Sequence, residues 1–208
     1  LVAIAASATV VEGKTPTTAT EIAKVQSAPI SNWITHMLQV SDNTQAEALA
    51  RLVSLDQGYD GSFSSIDAAI KKALTVTGVD STGIVLKDGS GLSSSNAVPP
   101  MYFAKLFKVI MGGANNFTWI MQGLPVAGES GSLADRFKGD YVDANGKIAA
   151  KTGWIKHGYT LAGVITAKDG TKLTFAIYAL GNVTDTAKKA IDALATGFYR
   201  CGNQLSNQ

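Results

Sequence analysis

Three predicted β-strands lie in one segment of the chain, residues 147–180, which reads KIAAKTGWIKHGYTLAGVITAKDGTKLTFAIYAL. The strands are predicted at Lys147–Lys151, Thr160–Ala167 and Lys172–Leu180, and the last two alternate apolar and polar side chains as half-buried strands do. Between these two, Lys168-Asp169-Gly170-Thr171 is typical of a hairpin turn. The segment therefore predicts an antiparallel meander.

Predicted helices flank this meander on both sides in the sequence. Their apolar residues recur at helical spacing from Pro29 to near Val40, after Ser41-Asp42-Asn43, from about Ser64 to Leu74, after Pro99-Pro100, and from Ala187 to Phe198. Further strands are predicted at Leu1–Val11, Thr20–Gln26 and Ile84–Leu86. A C-terminal helix that covers one face of the sheet makes this an α+β layered domain.

The composition excludes several classes of protein. Of the 208 residues, 46% are hydrophobic and 16% are charged, which excludes a disordered or fibrous chain. The net charge of +2 comes without a basic cluster in the sequence, so nucleic acid is not an expected partner. One cysteine, Cys201, and two histidines give no metal-ligand spacing, so a structural metal site is not expected.

Two short motifs carry the candidate chemistry. Ser41-Asp42-Asn43 lies at the predicted junction of two helices, where Asp42 or Asn43 can also cap the second helix. Lys151-Thr152-Gly153 ends the first predicted strand, where a glycine can also mark a β-bulge. In this order and in these contexts, the two motifs match the second and third signatures of penicillin-recognising serine enzymes.

Two longer stretches narrow the resemblance. Asp88–Ser93 (DGSGLS) and Leu124–Gly128 (LPVAG) resemble segments of the D-alanyl-D-alanine carboxypeptidases related to penicillin-binding protein 4. The resemblance covers roughly residues 25 to 200. It implies a β-lactamase/transpeptidase-like α+β domain, in which helices cover both faces of an antiparallel sheet.

Three residues are expected to be catalytic. Ser41 is expected to transfer protons, because a hydroxyl beside an ammonium can pass a proton between a nucleophile and a leaving amine. The amide of Asn43 has donors and an acceptor, so it can bind a catalytic lysine and a substrate amide. Lys151 places a positive charge where a substrate carboxylate and a developing negative charge would lie. Asp42 is given no role in the chemistry.

Four further residues are expected to bind substrate. Thr152 adds a hydroxyl donor, and Gly153 lets a substrate backbone lie close to the strand. The N–H of Trp154 would complete an oxyanion hole, and its indole would wall the pocket or stack on substrate. Leu92, in the DGSGLS stretch, is expected at the same cleft through the resemblance.

The chain departs from these relatives in three places. Trp154 stands where relatives commonly have Thr or Ser, and Ser94 stands where they often have Arg. No Ser-x-x-Lys occurs in the 208 residues, although the nucleophile of the family lies in that motif, upstream of a large insertion. The resemblance therefore implies that residues 1–26 end an inserted β-rich region and that residues 27–208 form the C-terminal part of the penicillin-binding domain.

The resemblance implies a serine-type D-Ala-D-Ala carboxypeptidase that acts on peptidoglycan through an acyl-enzyme and is acylated by β-lactams. It implies no cofactor and no metal. The expected partners are stem peptides ending in D-Ala-D-Ala, β-lactams, and an N-terminal portion that carries the nucleophile. The expected location is outside the cytoplasmic membrane. The preference between carboxypeptidase and endopeptidase action stays open, as does a second hypothesis, a non-catalytic peptidoglycan-recognising or scaffold homologue.

Because it contains no Ser-x-x-Lys, the 208-residue chain on its own is expected to form no covalent adduct with a penicillin. Intact-mass spectrometry after incubation with benzylpenicillin tests this, and the expected mass is that of the unmodified chain. A stoichiometric adduct would show that a nucleophile is present within these residues.

Overall fold

The computed structural model describes residues 5–9, 11–113 and 116–207. Within these ranges the structure contains six α-helices and one three-stranded sheet. The helices are α1 (Ile30–Val40), α2 (Asn43–Asp56), α3 (Ile66–Leu74), α4 (Pro100–Met111), α5 (Thr118–Gly123) and α6 (Asp185–Cys201), and the strands are β1 (Ile148–Ile155), β2 (Gly158–Thr166) and β3 (Lys172–Leu180).

The predicted helices are confirmed, and their first residues follow from local chemistry. Pro29 and Pro99 come directly before α1 and α4, and α4 has Pro100 in its first turn, where a missing N–H breaks no hydrogen bond. A short 3₁₀ turn, Phe63–Ser65, leads into α3 and accounts for the predicted start near Ser64.

The sheet has the strand order β1-β2-β3, and both neighbouring pairs are antiparallel. β1 is longer than predicted, because its ladder with β2 continues past Lys151 to the pair formed by Ile155 and Gly158. Only Lys156-His157 remain as the hairpin loop. The Lys151-Thr152-Gly153 motif therefore lies inside a regular ladder, and the β-bulge interpretation is wrong.

Helices cover both faces of the sheet, as predicted. On one face, strand residues pack with α6 in a cluster that includes Ile148, Leu161, Phe175, Ile191 and Ala195. On the other face, strand residues pack with α4 and with Leu124, which directly follows α5. This cluster includes Ala162, Val164, Phe107 and Ile110. We call these the α6 face and the α4 face.

Alternation along β1 divides the motif residues between the two faces. Ile148 packs on the α6 face and Ala149 on the α4 face. Because successive side chains of a strand point to opposite faces, Lys151 shares the α4 face, whereas Thr152 and Trp154 share the α6 face.

The strands predicted near the N-terminus are not found. Thr20–Gln26 is not a strand, and neither are the described residues of Leu1–Val11, while its remaining residues lie outside the described ranges. Ile22 and Val25 are 98% and 96% exposed, so no partner strand buries their side chains, and an unpaired strand is unstable in water. The strand predicted at Ile84–Leu86 is only a bridge from Val85 to Ala97.

β3 forms an edge of the sheet within the described ranges. It pairs with β2 along all nine of its residues and has no strand on its other side there. Leu173, Phe175 and Ile177 give it an apolar character. A long apolar edge presents unpaired backbone N–H and C=O groups to any strand that approaches.

None of the helices in the described part of the chain is both long and apolar enough to cross a bilayer.

Gly163 is expected to be essential for the ladder that holds β1 against β2. A Cβ at this position would lie 2.6 Å from Ala150 Cα, and it would also meet the carbonyl oxygen of Ala149. Since both are backbone atoms, Gly163→Ala should destabilise the fold by about 1–3 kcal/mol or more. Thermal unfolding measures the effect. The matched control is Gly197→Ala in α6, where a Cβ would meet nothing within 4 Å and should stabilise the fold by about 0.5–1 kcal/mol.

Candidate active site

The turn between α1 and α2 consists of Ser41 and Asp42. Ser41 has φ 58° and ψ 51°, the left-handed conformation that residues other than glycine seldom adopt. The carboxylate of Asp42 accepts a hydrogen bond of 2.9 Å from the N–H of Gln45 and caps α2. Asp42 and not Asn43 is therefore the capping residue of α2. The Ser41 hydroxyl takes no part in the cap and is available for other contacts.

Lys151 reaches the Ser41 hydroxyl from the sheet. Its Nζ donates hydrogen bonds of 2.8 Å to Ser41 Oγ and 2.9 Å to the carbonyl oxygen of Thr152. Burial disfavours the charged ammonium and lowers the pKa of Lys151 from 10.5 to about 8. A lysine whose pKa lies this near physiological pH can give up and recover a proton through the serine oxygen.

A cavity of about 360 Å³ adjoins this pair, a size typical of small-ligand sites. Ser41, Asn43 and Lys151 all line it, so the structure brings the three predicted catalytic residues together. The rest of the lining is mostly apolar and comes from α1, α2, α3 and the loop that follows Leu86: Met37, Asp42, Ala46, Leu49, Ala50, Val53, Ile70, Leu86, Asp88, Gly89 and Ser90. No group of three His, Cys, Asp or Glu side chains that could hold a metal ion lies in the described ranges.

The four predicted substrate-binding residues lie outside this lining. The Thr152 hydroxyl, on the α6 face, forms a hydrogen bond of 2.8 Å with the hydroxyl of Ser132. Gly153 pairs with Thr160, whose hydroxyl occupies the space that a Cβ on Gly153 would need. Leu92 is 57% exposed.

The indole of Trp154 is held by neighbours on the α6 face. It is 69% exposed and stacks on Tyr159 with a centroid separation of 5.9 Å. The Lys188 ammonium lies 5.3 Å from the Trp154 ring centroid and 4.8 Å from that of Tyr159, within the range of cation–π attraction. The indole therefore flanks the end of β1 on the side away from Lys151.

Three residues with contacts in this region were not predicted from the sequence: Glu47, Ser132 and Thr160. Glu47 follows Asn43 by four positions on α2, and this spacing places both on one helix face, so a signal for it existed. Ser132 and Thr160 carry no comparable signal, because their partners on β1 become neighbours only through tertiary structure.

Comparison with known proteins finds relatives over most of the chain. A model of the D-Ala-D-Ala carboxypeptidase 3 (S13) family matches residues 2–198. The carboxypeptidase DacB of Mycolicibacterium smegmatis is 36% identical over 190 residues, which are 88% of this chain and 40% of that protein. The D-alanyl-D-alanine carboxypeptidase of Actinomadura sp. strain R39 is 32% identical over 81% of this chain and 32% of its own. The chain thus spans less than half the length of these relatives.

Solved structures confirm the predicted fold class. Penicillin-binding protein 4 (dacB) of Haemophilus influenzae, in complex with a β-lactam, matches with a TM-score of 0.75 and 26% identity over 83% of this chain and 42% of its own. The TLA-3 extended-spectrum β-lactamase matches with a TM-score of 0.60 and 20% identity over 82% of this chain and 62% of its own, which shows a shared fold.

The buried amine of Lys151 is expected to make stability depend on pH. Its folded pKa of about 8 lies below its ordinary value of 10.5, so the unfolded chain binds more protons between these values and the free energy of unfolding should rise with pH across that window. Lys151→Met should therefore be more stable than wild type at pH 7, by at most about 3 kcal/mol, and lose this advantage as the pH approaches 10.5.

Thermal unfolding between pH 6 and 10.5 measures this difference, with Lys156→Met at an exposed position as the control. A stability difference between wild type and Lys151→Met that does not change with pH would contradict the lowered pKa.

Proposed function

The chain belongs to the D-Ala-D-Ala carboxypeptidase 3 (S13) family, and on that premise we propose that the protein is a serine-type carboxypeptidase that removes terminal D-Ala from peptidoglycan stem peptides. The observation that carries the proposal is the 2.8 Å hydrogen bond from Lys151 Nζ to Ser41 Oγ, because these residues lie 110 positions apart and line one cavity. The contact places a hydroxyl against an amine of lowered pKa beside a cavity, which is the arrangement that proton transfer requires.

In this function Ser41 and Lys151 supply the proton for the leaving group. A serine hydroxyl outside this chain attacks the carbonyl carbon of the D-Ala-D-Ala bond and loses its proton to the lysine of its own motif. The C–N bond breaks, Ser41 donates a proton to the departing amine, and Lys151 returns one to Ser41, in the direction of the observed hydrogen bond. Water then attacks the acyl-serine ester: the lysine of the serine's own motif returns its proton to the serine oxygen, and the proton that the water loses restores the Lys151 ammonium through Ser41.

The remaining motif residues are proposed to bind the substrate. The amide of Asn43 binds the backbone of the peptide, and the N–H of Trp154 together with the N–H of the nucleophile stabilises the oxyanion. The Lys151 ammonium holds the terminal carboxylate from one side of β1, and the Thr152 hydroxyl, which hydrogen-bonds to Ser132, holds it from the other side. Because the Thr160 hydroxyl fills the space beside Gly153, the peptide is proposed to approach Gly153 along the backbone of β1, and Leu92 contacts it from the DGSGLS loop.

We further propose that the nucleophile belongs to a preceding part of the protein, that residues 1–26 end an inserted region, and that residues 27–208 are the C-terminal part of the penicillin-binding domain. Apolar surface on α1 and α2 supports this. More than half of the α1 residues are apolar, yet none is fully buried, and Leu52 and Leu55 on α2 are 48% and 55% exposed. Burying such apolar surface against another element stabilises the folded protein.

The same cleft is proposed to react with β-lactams, which form the same kind of acyl-serine ester. The match to a penicillin-binding protein that was solved with a β-lactam supports this. A peptidoglycan substrate places the protein outside the cytoplasmic membrane. Endopeptidase action would break a similar bond with a larger leaving amine, so a cross-linked muropeptide serves as the second substrate in the test.

The test is the release of D-Ala from a peptide ending in D-Ala-D-Ala by the protein that includes the nucleophile-bearing portion. Ser41→Ala should slow release by roughly 10² to 10⁴, the range for losing a positioned proton-transfer group. Its melting temperature should change little, because Asp42 caps α2, whereas Asp42→Ala should lose about 1 kcal/mol of stability.

Two outcomes would contradict the proposal. A Ser41→Ala protein that melts at a lower temperature but keeps its rate per folded molecule would assign Ser41 to structure. A folded wild-type protein that releases no D-Ala and opens no cross-link would favour the non-catalytic peptidoglycan-recognising homologue.

A further inference from the structure

Glu47 binds the loop that lines the cavity. It lies on α2, and its Oε2 accepts the N–H of Gly89 at 3.0 Å. Its Oε1 accepts the N–H of Ser90 at 3.0 Å and the hydroxyl of Ser90 at 2.6 Å. Two consecutive backbone N–H groups and one hydroxyl therefore converge on a half-buried carboxylate, and hydrogen bonds to an ionised acceptor are the stronger kind.

The loop lies so close to α2 that only glycine fits at position 89. A Cβ there would lie 2.5 Å from Ala50 Cβ and 2.7 Å from the carbonyl oxygen of Ala46. Since Ala46 and Glu47 are adjacent on α2, packing and hydrogen bonding act at the same point. The absence of a side chain at Gly89 therefore lets the loop lie against α2, and the hydrogen bonds to Glu47 hold it there.

Hydrogen bonds within the loop also hold its conformation. The carboxylate of Asp88 accepts the N–H of Gly91 at 2.8 Å and the N–H of Ser93 at 2.6 Å. The amide of Asn96 donates to the same carboxylate at 2.8 Å. Residues 88–96 therefore form a compact unit, and Glu47 attaches this unit to α2.

We propose that Glu47 is a positioning residue for the substrate, which holds Asp88–Ser90 at a fixed distance from the Ser41–Lys151 pair. Glu47 does not line the cavity itself, whereas Asp88, Gly89 and Ser90 do, so it acts through the loop. The inference rests on the proposed function, since it assigns this residue to binding that substrate. Because the proton-transfer pair is untouched, loss of the carboxylate should raise KM and leave kcat nearly unchanged.

The test compares Glu47→Gln with wild type in the protein that includes the nucleophile-bearing portion. Glutamine keeps the size of the side chain, but its NH₂ group faces a backbone N–H and cannot accept a hydrogen bond from it. KM for the D-Ala-D-Ala peptide should rise about tenfold while kcat stays within about threefold. The matched control is Asp56→Asn, an exposed carboxylate on the same helix, which should change neither constant.

Amide hydrogen exchange gives a second measurement that does not depend on activity. The N–H groups of Gly89 and Ser90 should exchange faster in Glu47→Gln than in wild type, with no change in Asp56→Asn. If Glu47→Gln does not fold, Glu47→Asp keeps the charge while shortening the side chain, and a smaller shift in the same direction is expected.

The outcomes separate the two claims. An active wild-type protein in which Glu47→Gln keeps the wild-type KM, with or without a fall in apparent kcat that matches its folded fraction, would overturn the role of Glu47 alone. Unchanged exchange at Gly89 and Ser90 would overturn it as well. A wild-type protein that hydrolyses nothing, while exchange at these two residues still responds to Glu47→Gln, would overturn the proposed function and leave the attachment of the loop standing.

Discussion

The hydrogen bond between Lys151 Nζ and Ser41 Oγ requires two local structures to be correct at once. On the helix side, Ser41 must keep its left-handed backbone, and Asp42 must start α2 directly after it. On the sheet side, the β1–β2 ladder must continue without a bulge, since a register shift of one residue would turn Lys151 to the α6 face. The chemistry of the site therefore depends on backbone register more than on any side-chain packing around it.

Most of the fold could be predicted from the sequence, because periodicity and turn residues are local signals. The meander, the proline-led helices and the closing helix α6 all follow from such signals. The errors concern strand pairing, which the sequence of one segment does not reveal. Thr20–Gln26 and the described residues of Leu1–Val11 have strand-like sequences, but a strand also needs a partner, and in the described ranges none covers the exposed Ile22 and Val25. The predicted strand ends too early at Lys151, because pairing with β2 extends β1 past Gly153 to Ile155.

The candidate site was predictable where its residues stand in motifs and unpredictable where they meet through tertiary structure. Ser41, Asn43 and Lys151 were found from motif and context, and they share one cavity. The contacts of Trp154 could not be found in this way, because Tyr159 belongs to β2 and Lys188 to α6. Glu47 is intermediate: its spacing from Asn43 is visible in the sequence, but the loop that it binds lies more than 40 positions away.

The edge of β3, which has no partner strand among the residues that the structure describes, gives this fold a thermodynamic property of its own. A strand that adds there binds the folded chain and not the unfolded one, so its binding free energy adds to the stability of the fold. If such a strand belongs to the same polypeptide, its effective concentration is on the order of millimolar, and each doubling of the intervening segment costs only about 0.6 kcal/mol. A long insertion between the two parts of such a domain therefore costs little stability, and the β3 edge still pairs only with a strand that matches it.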